Sequence, residues 1–324
     1  MNNIVFYAMI AVGLGAFGYF LWNLRQWGDI DIQLPAVLRN DLLFGYYGSV
    51  ERTWQQVKDN VNLYWYFNFY PQEQFIEEIR QARPEMKFVV DIAPHLTERV
   101  QVEEGKFKLI CSKDAEENLR AFFLKMQEAG VLHRFTYLYP VDEPQLNMND
   151  AQEHLKMLEV AKKVAAEFPE LKNVRWLVIY LANRDFWNID HYDVVGVDQY
   201  EQKSEILTNG EHAWLLKVKL PHQKTILVPG CGFGQNPDPF VAYAHSYSNE
   251  VEIVAPFLWF EFTDPKHKDA DFTGLENAKE DFRERWINAG WKVMNRERTT
   301  PVWKHPNPEI FPKSAVRTLK SFMR

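Results

Sequence analysis

The sequence lacks the features that several large protein classes need. Its 324 residues include only two cysteines, Cys111 and Cys231, which have no metal-ligand spacing but allow one disulfide bond. No His-x-His or His-x-x-x-His pair occurs, so a histidine-based metal centre is not indicated. No Gly-x-Gly-x-x-Gly motif follows the first predicted strand. We therefore predict neither a metal nor a cofactor.

An excess of positive charge is also absent. Asp and Glu number 44 against 37 Lys and Arg, which gives a formal net charge of -7. Because binding to a phosphate backbone needs a positive field, we expect no nucleic-acid partner. The content of hydrophobic residues, 46%, and of charged residues, 25%, is typical of a globular protein. Its 11 tryptophans suit the apolar faces of sugar rings, although most such rings only fill a core.

The N-terminus carries the longest apolar run. Residues 4–22 are uncharged, and as a helix they would span about 28 Å, close to the hydrocarbon thickness of a bilayer. No Lys or Arg precedes the run, and residues 19–22 (Tyr-Phe-Leu-Trp) are a poor cleavage site. These features favour an uncleaved anchor over a removed signal peptide. We predict a transmembrane signal-anchor in residues 1–25 and a linker in residues 26–40.

The remaining chain alternates β-branched apolar runs with amphipathic stretches. This pattern is typical of βαβ units and a parallel sheet. Eight strands are predicted: 42–47, 61–67, 87–91, 135–139, 174–180, 194–198, 225–228 and 253–260. Helices are predicted at 72–82, 114–129, 150–168, 238–247 and 277–295, with an irregular crossover at 205–220. The order predicts an α/β fold, a (β/α)8 TIM barrel over residues 41–298.

The last residues form a separate segment, 299–324, which holds several prolines and a basic end. We predict an extension packed on the barrel exterior, and the alternative is a segment that docks on a partner or an acidic membrane surface.

In such barrels the chemistry lies at the C-terminal ends of the strands. Six predicted strand ends carry polar or aromatic side chains that suit a neutral, hydroxyl-rich ligand, and we take these as candidate substrate contacts: Tyr47, Asn68, Asp91, Tyr180, Tyr200, Trp259 and Glu261. The seventh strand ends at Gly230 without a carboxylate. His95 and His191 are interpreted as plain loop histidines.

The fourth strand ends in the acidic pair Asp142-Glu143, followed by Pro144. Acidic residues often cap a following helix, but the next predicted helix starts several residues later, near Asp150. Capping therefore explains the pair poorly, and a catalytic role is favoured. Glycosidic cleavage needs a protonated carboxyl group, and a neighbouring like charge raises a carboxyl pKa. Asp198, which ends the sixth strand, is a further catalytic candidate.

The segment around Glu143 resembles two groups of glycoside hydrolases. An acidic residue before Pro at the end of strand 4 looks like the acid/base position of the large retaining-glycosidase clan. That clan usually has Asn-Glu-Pro there and a nucleophilic Glu at the end of strand 7. This chain differs at both places, with Asp142 in place of Asn and Val228 to Gly232 (Val-Pro-Gly-Cys-Gly) in place of the nucleophile.

An adjacent Asp-Glu pair on strand 4 is similar instead to the substrate-assisted hexosaminidases of glycoside hydrolase families 20 and 123. The resemblance implies that Asp142 orients the acetamido group of the substrate, and that Glu143 is the general acid and then the base. It also implies that Tyr200 hydrogen-bonds the acetamido oxygen and that Trp259 forms the floor of the sugar subsite. In a third arrangement, Glu143 acts with Asp198 or Glu261 across the barrel mouth.

Two functions remain open at this point. The first is a membrane-anchored glycosidase that acts on a polysaccharide or glycan, with N-acetylhexosamine as one candidate unit. The second is a non-catalytic barrel that binds carbohydrate or a protein partner. The orientation also has two interpretations. Arg25 follows the apolar run, which places the domain in the cytoplasm, but a polysaccharide-processing enzyme more often faces outward. We expect an extracytoplasmic domain on that functional ground.

Overall fold

A computed structural model gives the structure of the protein. It describes residues 42–48, 50, 52–67, 70–181, 185–199, 207, 210–231, 235–259, 262–263, 271–272 and 274–298. All of these residues belong to the compact unit Leu38–Arg324. The predicted anchor, the predicted linker and the extension 299–324 lie outside the described residues.

The described residues form strands and helices that mostly alternate along the chain. The strands are β1 (Leu43–Phe44), β2 (Leu63–Tyr66), β3 (Lys87–Asp91), β4 (Thr97–Glu103), β5 (Lys106–Cys111), β6 (Phe135–Tyr139), β7 (Arg175–Tyr180), β8 (Val194–Gln199), β9 (Lys224–Pro229), β10 (Val251–Val254), β11 (Phe262–Thr263) and β12 (Asp271–Phe272). The helices are α1 (Thr53–Val57), α2 (Gln72–Gln81), α3 (Ala93–Leu96), α4 (Ala115–Glu128), α5 (Pro144–Asn147), α6 (Ala151–Ala165), α7 (Glu211–Val218), α8 (Asp238–Ser246) and α9 (Glu280–Val293).

Eight of these strands form one parallel sheet that curves into a barrel. Its order is β1-β10-β9-β8-β7-β6-β3-β2, so each barrel strand from β3 onward pairs with its predecessor among the barrel strands. The last strand, β10, pairs with the first, β1, while β1 and β2 share no ladder in the described residues. The helices that connect the parallel strands bury their apolar faces; α4, for example, buries Leu119, Phe123 and Met126. The predicted α/β barrel is confirmed as a parallel, nearly closed eight-stranded barrel with helices.

The seam between β1 and β2 is held largely by one side chain. Asn62 accepts a hydrogen bond from the backbone N–H of Phe44 at 2.7 Å and donates one to the carbonyl oxygen of Leu42 at 3.0 Å. Its own N–H donates to the carbonyl of Phe44 at 3.1 Å. Gly45 lets the strands approach, because a Cβ there would lie 2.1 Å from the carbonyl oxygen of Leu63. The buried amide of Asn62 thus replaces part of a β-ladder.

Alternation along the strands divides the apolar side chains between two cores. One core fills the barrel and includes Leu63, Val89, Ile179 and Ile226. The larger core lies between the barrel and its helices, with Tyr180 among its members. Because successive side chains point to opposite faces of a strand, the parity of a position decides which side it faces.

The predicted bounds agree with the structure to within two residues for most elements. The eighth predicted strand, 253–260, is an exception. It corresponds to β10, which starts at Val251 and ends at Val254. The irregular crossover contains α7, and the short helix α5 was not predicted. Asp150 caps α6 as expected, because its carboxylate accepts from the N–H groups of Gln152 and Glu153.

A hairpin that was not predicted follows β3. Its strands β4 and β5 pair antiparallel around Gly105, whose φ of +73° suits a glycine. The backbone N–H of Cys111 donates to the carboxylate of Glu153 at 2.9 Å and so ties the hairpin to α6. The alternating sequence from Arg99 to Cys111 carries the strand signal that reveals it.

The disulfide that the sequence allows does not form. Cys111 and Cys231 are both buried free thiols. Cys111 ends the hairpin strand β5, whereas Cys231 follows β9, whose ladder partners are β8 and β10. Within the described residues, no helix is long and apolar enough to cross a membrane.

We predict that Asn62→Ala destabilises the fold by about 2–4 kcal/mol, because it leaves a buried N–H and a buried carbonyl of β1 without partners. The free energy of unfolding in urea measures the effect. Asn118→Ala, at an exposed position of α4, is the matched control and should change stability by less than about 0.5 kcal/mol. Equal effects of the two substitutions would refute the role of Asn62 at the seam.

Candidate active site

The acidic pair lies on a constrained turn at the C-terminal end of β6. Glu143 has a left-handed backbone, with φ of 39° and ψ of 66°, which costs a non-glycine residue of order 1 kcal/mol. Its N–H donates to the carbonyl of Ile179 at 3.1 Å, and the amide of Asn147 donates to the carbonyl of Asp142 at 2.7 Å. Glu143 also starts α5, but its side chain makes no capping bond. The turn therefore fixes both carboxyl groups without using them as caps.

Two tyrosines hold the carboxyl group of Asp142. The hydroxyl groups of Tyr47 and Tyr139 each donate to Oδ1 of Asp142 at 2.5 Å, and the two hydroxyls lie 3.0 Å apart. Burial raises the pKa of Asp142, and these two hydrogen bonds oppose that rise. Burial, and after it the charge of Asp142, raises the pKa of Tyr139 well above its usual value. Both hydroxyl groups donate to a single carboxylate oxygen.

Asp198, the penultimate residue of β8, lies close enough to Glu143 to affect its protonation. Burial is the main cause that raises the pKa of Glu143 to about 7, the charge of Asp142 raises it further, and the interaction with Asp198 opposes both. Asp198 is itself buried, with 8% of its surface exposed.

These contacts decide where a proton resides in the pair at neutral pH. Asp142 receives two phenolic donors, and hydrogen bonds to the charged form favour that form. Glu143 lies beside this fixed anion in a half-buried position. We therefore assign the negative charge to Asp142 and the exchangeable proton to Glu143. This division of roles is what an acid/base residue beside an anionic partner requires.

Aromatic rings surround the phenol pair inside the barrel mouth. The ring of Tyr47 contacts Trp65 at 4.9 Å, Phe67 at 5.3 Å and Phe257 at 5.7 Å between centroids. The ring of Tyr139 contacts Trp65 at 5.5 Å. Such ring pairs add about 0.5–1.5 kcal/mol each beyond their buried area. The packing fixes the orientation of both hydroxyl groups toward Asp142.

The structure brings four of the predicted site residues together: Tyr47, Asp142, Glu143 and Asp198. Asp91 lies at the end of β3, where its carboxylate accepts from the N–H of Ala93 at 2.9 Å and so starts α3. Asn68, Tyr200 and Glu261 lie outside the described residues, and their assignment as substrate contacts stays a prediction.

Two predicted sugar contacts are placed elsewhere. Tyr180 lies in the core between barrel and helices, fully buried, and its hydroxyl donates to the carbonyl of Trp187. Trp259 is also fully buried, and its indole N–H donates to Gln56 at 2.6 Å. Tyr180 does end β7, and strand parity turns its ring outward, whereas Trp259 lies beyond the end of β10 at Val254 and packs in the same outer core.

Tyr139 was missed as a site residue. It was predicted only as part of the fourth strand. The signal that identifies it is parity, because Tyr137 and Tyr139 both face the barrel interior and Tyr139 is the inward residue nearest the acidic pair. In the described part of the chain, no group of His, Cys, Asp and Glu has an arrangement that could hold a metal ion.

Comparison with known proteins gives the fold but no family. No protein-family model matches the sequence, and no curated protein matches it either. A beta-glucuronidase of Parabacteroides merdae has a similar structure, with a TM-score of 0.51 and 12% identity over 76% of this chain and 36% of that chain. A GH2 beta-galacturonidase of Eisenbergiella tayi, bound to galacturonate, gives a TM-score of 0.51 and 9% identity over 78% of this chain and 51% of that chain.

The chain thus spans between about a third and a half of the length of these two proteins. At 9–12% identity the likeness concerns the fold alone. The protein has the barrel fold of these glycoside hydrolases.

Proposed function

We propose that the protein is a glycoside hydrolase in which Glu143 is the general acid and then the general base. The observation that carries this proposal is the raised pKa of Glu143, about 7, at the C-terminal end of a barrel strand beside a carboxylate held by two phenols. A carboxyl group that keeps its proton near neutral pH can donate it to the leaving glycosidic oxygen. The barrel shared with glycosidases supports the proposal at the level of the fold only.

Asp198 lies close to Glu143, and its interaction with that side chain opposes the rise in the pKa of Glu143. We propose that Asp198 adjusts the protonation of Glu143 during the reaction.

A substrate-assisted mechanism accounts for the remaining carboxylate. Asp142 presents Oδ1 to the two tyrosines, and its second oxygen is then the one that can accept from an acetamido N–H of the substrate. This bond would orient the acetamido oxygen toward the anomeric carbon, where it would act as the nucleophile. The seventh barrel strand, β9, and the residues after it contain no Asp or Glu from residue 224 to residue 237. This agrees with a mechanism in which the substrate supplies the nucleophile. We therefore propose a glycan that contains N-acetylhexosamine as the substrate class.

The membrane anchor in residues 4–22 and the extracytoplasmic orientation stay predictions, since these residues lie outside the described part of the chain. The non-catalytic alternative is also kept as a defined experimental outcome. Retained glycan binding without turnover across a broad panel would support it.

The first prediction concerns Glu143→Gln, which removes the proton donor but keeps the side-chain size. We expect kcat/KM on the glycan substrate to fall by about 10²–10⁴-fold. The loss should be smaller on an aryl glycoside with a good leaving group, because that bond needs less protonation. Glu117→Gln, an exposed position on α4, is the control and should retain full activity. Unchanged hydrolysis by the Glu143 variant would exclude the proposed acid/base role.

A second prediction tests the substrate-assisted mechanism. Asp142→Asn leaves the shape of the side chain but removes its charge, so the acetamido group loses its charged acceptor and the developing positive charge loses its stabilising anion. We expect kcat to fall about 10²-fold on an N-acetylhexosaminide. Hydrolysis of the parent hexoside without the acetamido group should already be poor in the unmodified protein. Equal turnover of both substrates would contradict the mechanism while leaving Glu143 as the acid.

The raised pKa of Glu143 also predicts a pH dependence of stability. The folded-state pKa, about 7, lies above the ordinary value of 4.5, so the contribution to stability is complete below pH 4.5 and is lost as the pH rises through 7. Between pH 5 and pH 8, the unmodified protein should lose about 1–3 kcal/mol relative to Glu143→Gln. Urea unfolding at both pH values measures the difference. If the two proteins keep a constant difference across this range, Glu143 ionises at its ordinary pKa.

A further inference from the structure

A cavity of about 310 Å³ opens at the end of the barrel opposite the acidic pair. Five of the lining residues are the first residues of their strands, so they mark the N-terminal end of the sheet: Leu43, Lys87, Arg175, Lys224 and Val251. The six residues of β7 separate Arg175 at this end from Tyr180 near the mouth, a distance of about 17 Å. The cavity is therefore distinct from the site around Glu143.

Positively charged side chains outnumber negatively charged ones in the lining of this cavity. Lys87, Arg175 and Lys224 supply three positive charges, and Glu252 supplies one negative charge. Arg175 forms an ion pair with Glu252, and the hydroxyl of Tyr137 donates to the same carboxylate. The charge of Glu252 is thus already balanced within the cavity wall, and no carboxylate of the described part of the chain pairs with Lys87 or Lys224.

The two lysines are available for a ligand to different degrees. The ammonium group of Lys224 donates to the backbone carbonyl of Asn249, a neutral acceptor that leaves its charge uncompensated. Lys87 is exposed, and among the described residues neither a hydrogen bond nor an ion pair involves its ammonium group. Two further acidic residues lie on this side: Glu250 is paired with Lys219 at 2.6 Å, and the carboxylate of Asp193 accepts from the backbone N–H of Trp176 at 2.8 Å.

We propose that this cavity binds a small oxyanion with the chemistry of a phosphate group. The ammonium groups of Lys87 and Lys224 provide charge-assisted donors for such an anion. The volume lies at the lower end of the range for small-molecule sites, which suits a phosphate group or a phosphate ester with a short alcohol.

A free phosphate and a phospholipid headgroup share this chemistry. The chain enters the barrel at Leu42, which lines the cavity, and the predicted anchor lies upstream of that residue. A headgroup ligand would place this end of the barrel against an anionic bilayer. The test therefore needs separate arms for the two sources.

The experiment is thermal and urea unfolding of the full chain in a neutral detergent, with matched ionic strength set by chloride. One arm adds inorganic phosphate, and the other adds short-chain dihexanoyl-phosphatidylglycerol, with dihexanoyl-phosphatidylcholine as its zwitterionic comparison. At ten times Kd, a ligand that binds only the folded state raises the folded-to-unfolded ratio by about 11-fold. We expect a saturable rise of this kind in at least one arm.

The double variant Lys87→Gln with Lys224→Gln should lose the rise. Lys113→Gln with Lys172→Gln removes the same net charge outside the cavity lining and should keep it. A response to phosphatidylglycerol but not to phosphatidylcholine would identify a headgroup site, and a response to phosphate alone would identify a site for a soluble anion. No saturable rise in either arm, or an equal loss in both double variants, would overturn the proposal. Neither result bears on the role of Glu143.

Discussion

The seam at β1 is the constraint on which the candidate site depends. β1 has only two residues in its ladder, Leu43 and Phe44, yet it must join β10 on one side and β2 on the other. The amide of Asn62 completes the second join, where a regular ladder is absent. Tyr47 follows β1 directly and reaches Asp142 on the turn after β6. The barrel must therefore close before the two phenols can meet the same carboxylate oxygen.

Burial and hydrogen bonding together give the two adjacent carboxyl groups different chemistry. Both are desolvated, and desolvation alone would raise both pKa values. The phenols of Tyr47 and Tyr139 stabilise only the charged form of Asp142, so that the adjacent Glu143 is left as the proton carrier. Asp198 lies close to Glu143 and opposes the rise of its pKa. The sequence neighbours thus differ because residues from three separate strands approach them differently.

The sequence predicts the barrel well because its strands are buried on both faces and read as continuous apolar runs, such as Val194 to Val197. It also predicts that Asp142, Glu143 and Asp198 come together, since strand ends meet at one rim in this fold. It does not predict that Tyr180 turns outward, because parity fixes the facing of a side chain only after the register of the strand is known. Tyr139 was missed for the same reason. Nor does the sequence predict that β10 ends at Val254, before Trp259. The hairpin β4–β5 was missed because its alternating residues lie between a strand and a helix that already satisfied the βα pattern.

At Glu143 the residue that best suits the left-handed backbone differs from the residue that the proposed chemistry needs. With φ at 39°, the residue occupies a region that glycine enters without steric cost. Selection for folding alone would favour glycine there, whereas an acid/base role excludes it because glycine has no proton to give. Among related proteins, glutamate at this position would therefore indicate selection for the acid/base role, and glycine would indicate selection for stability alone. A barrel of this kind that has abandoned turnover is free to relax this turn first, while its seam and its phenol pair are still maintained by packing.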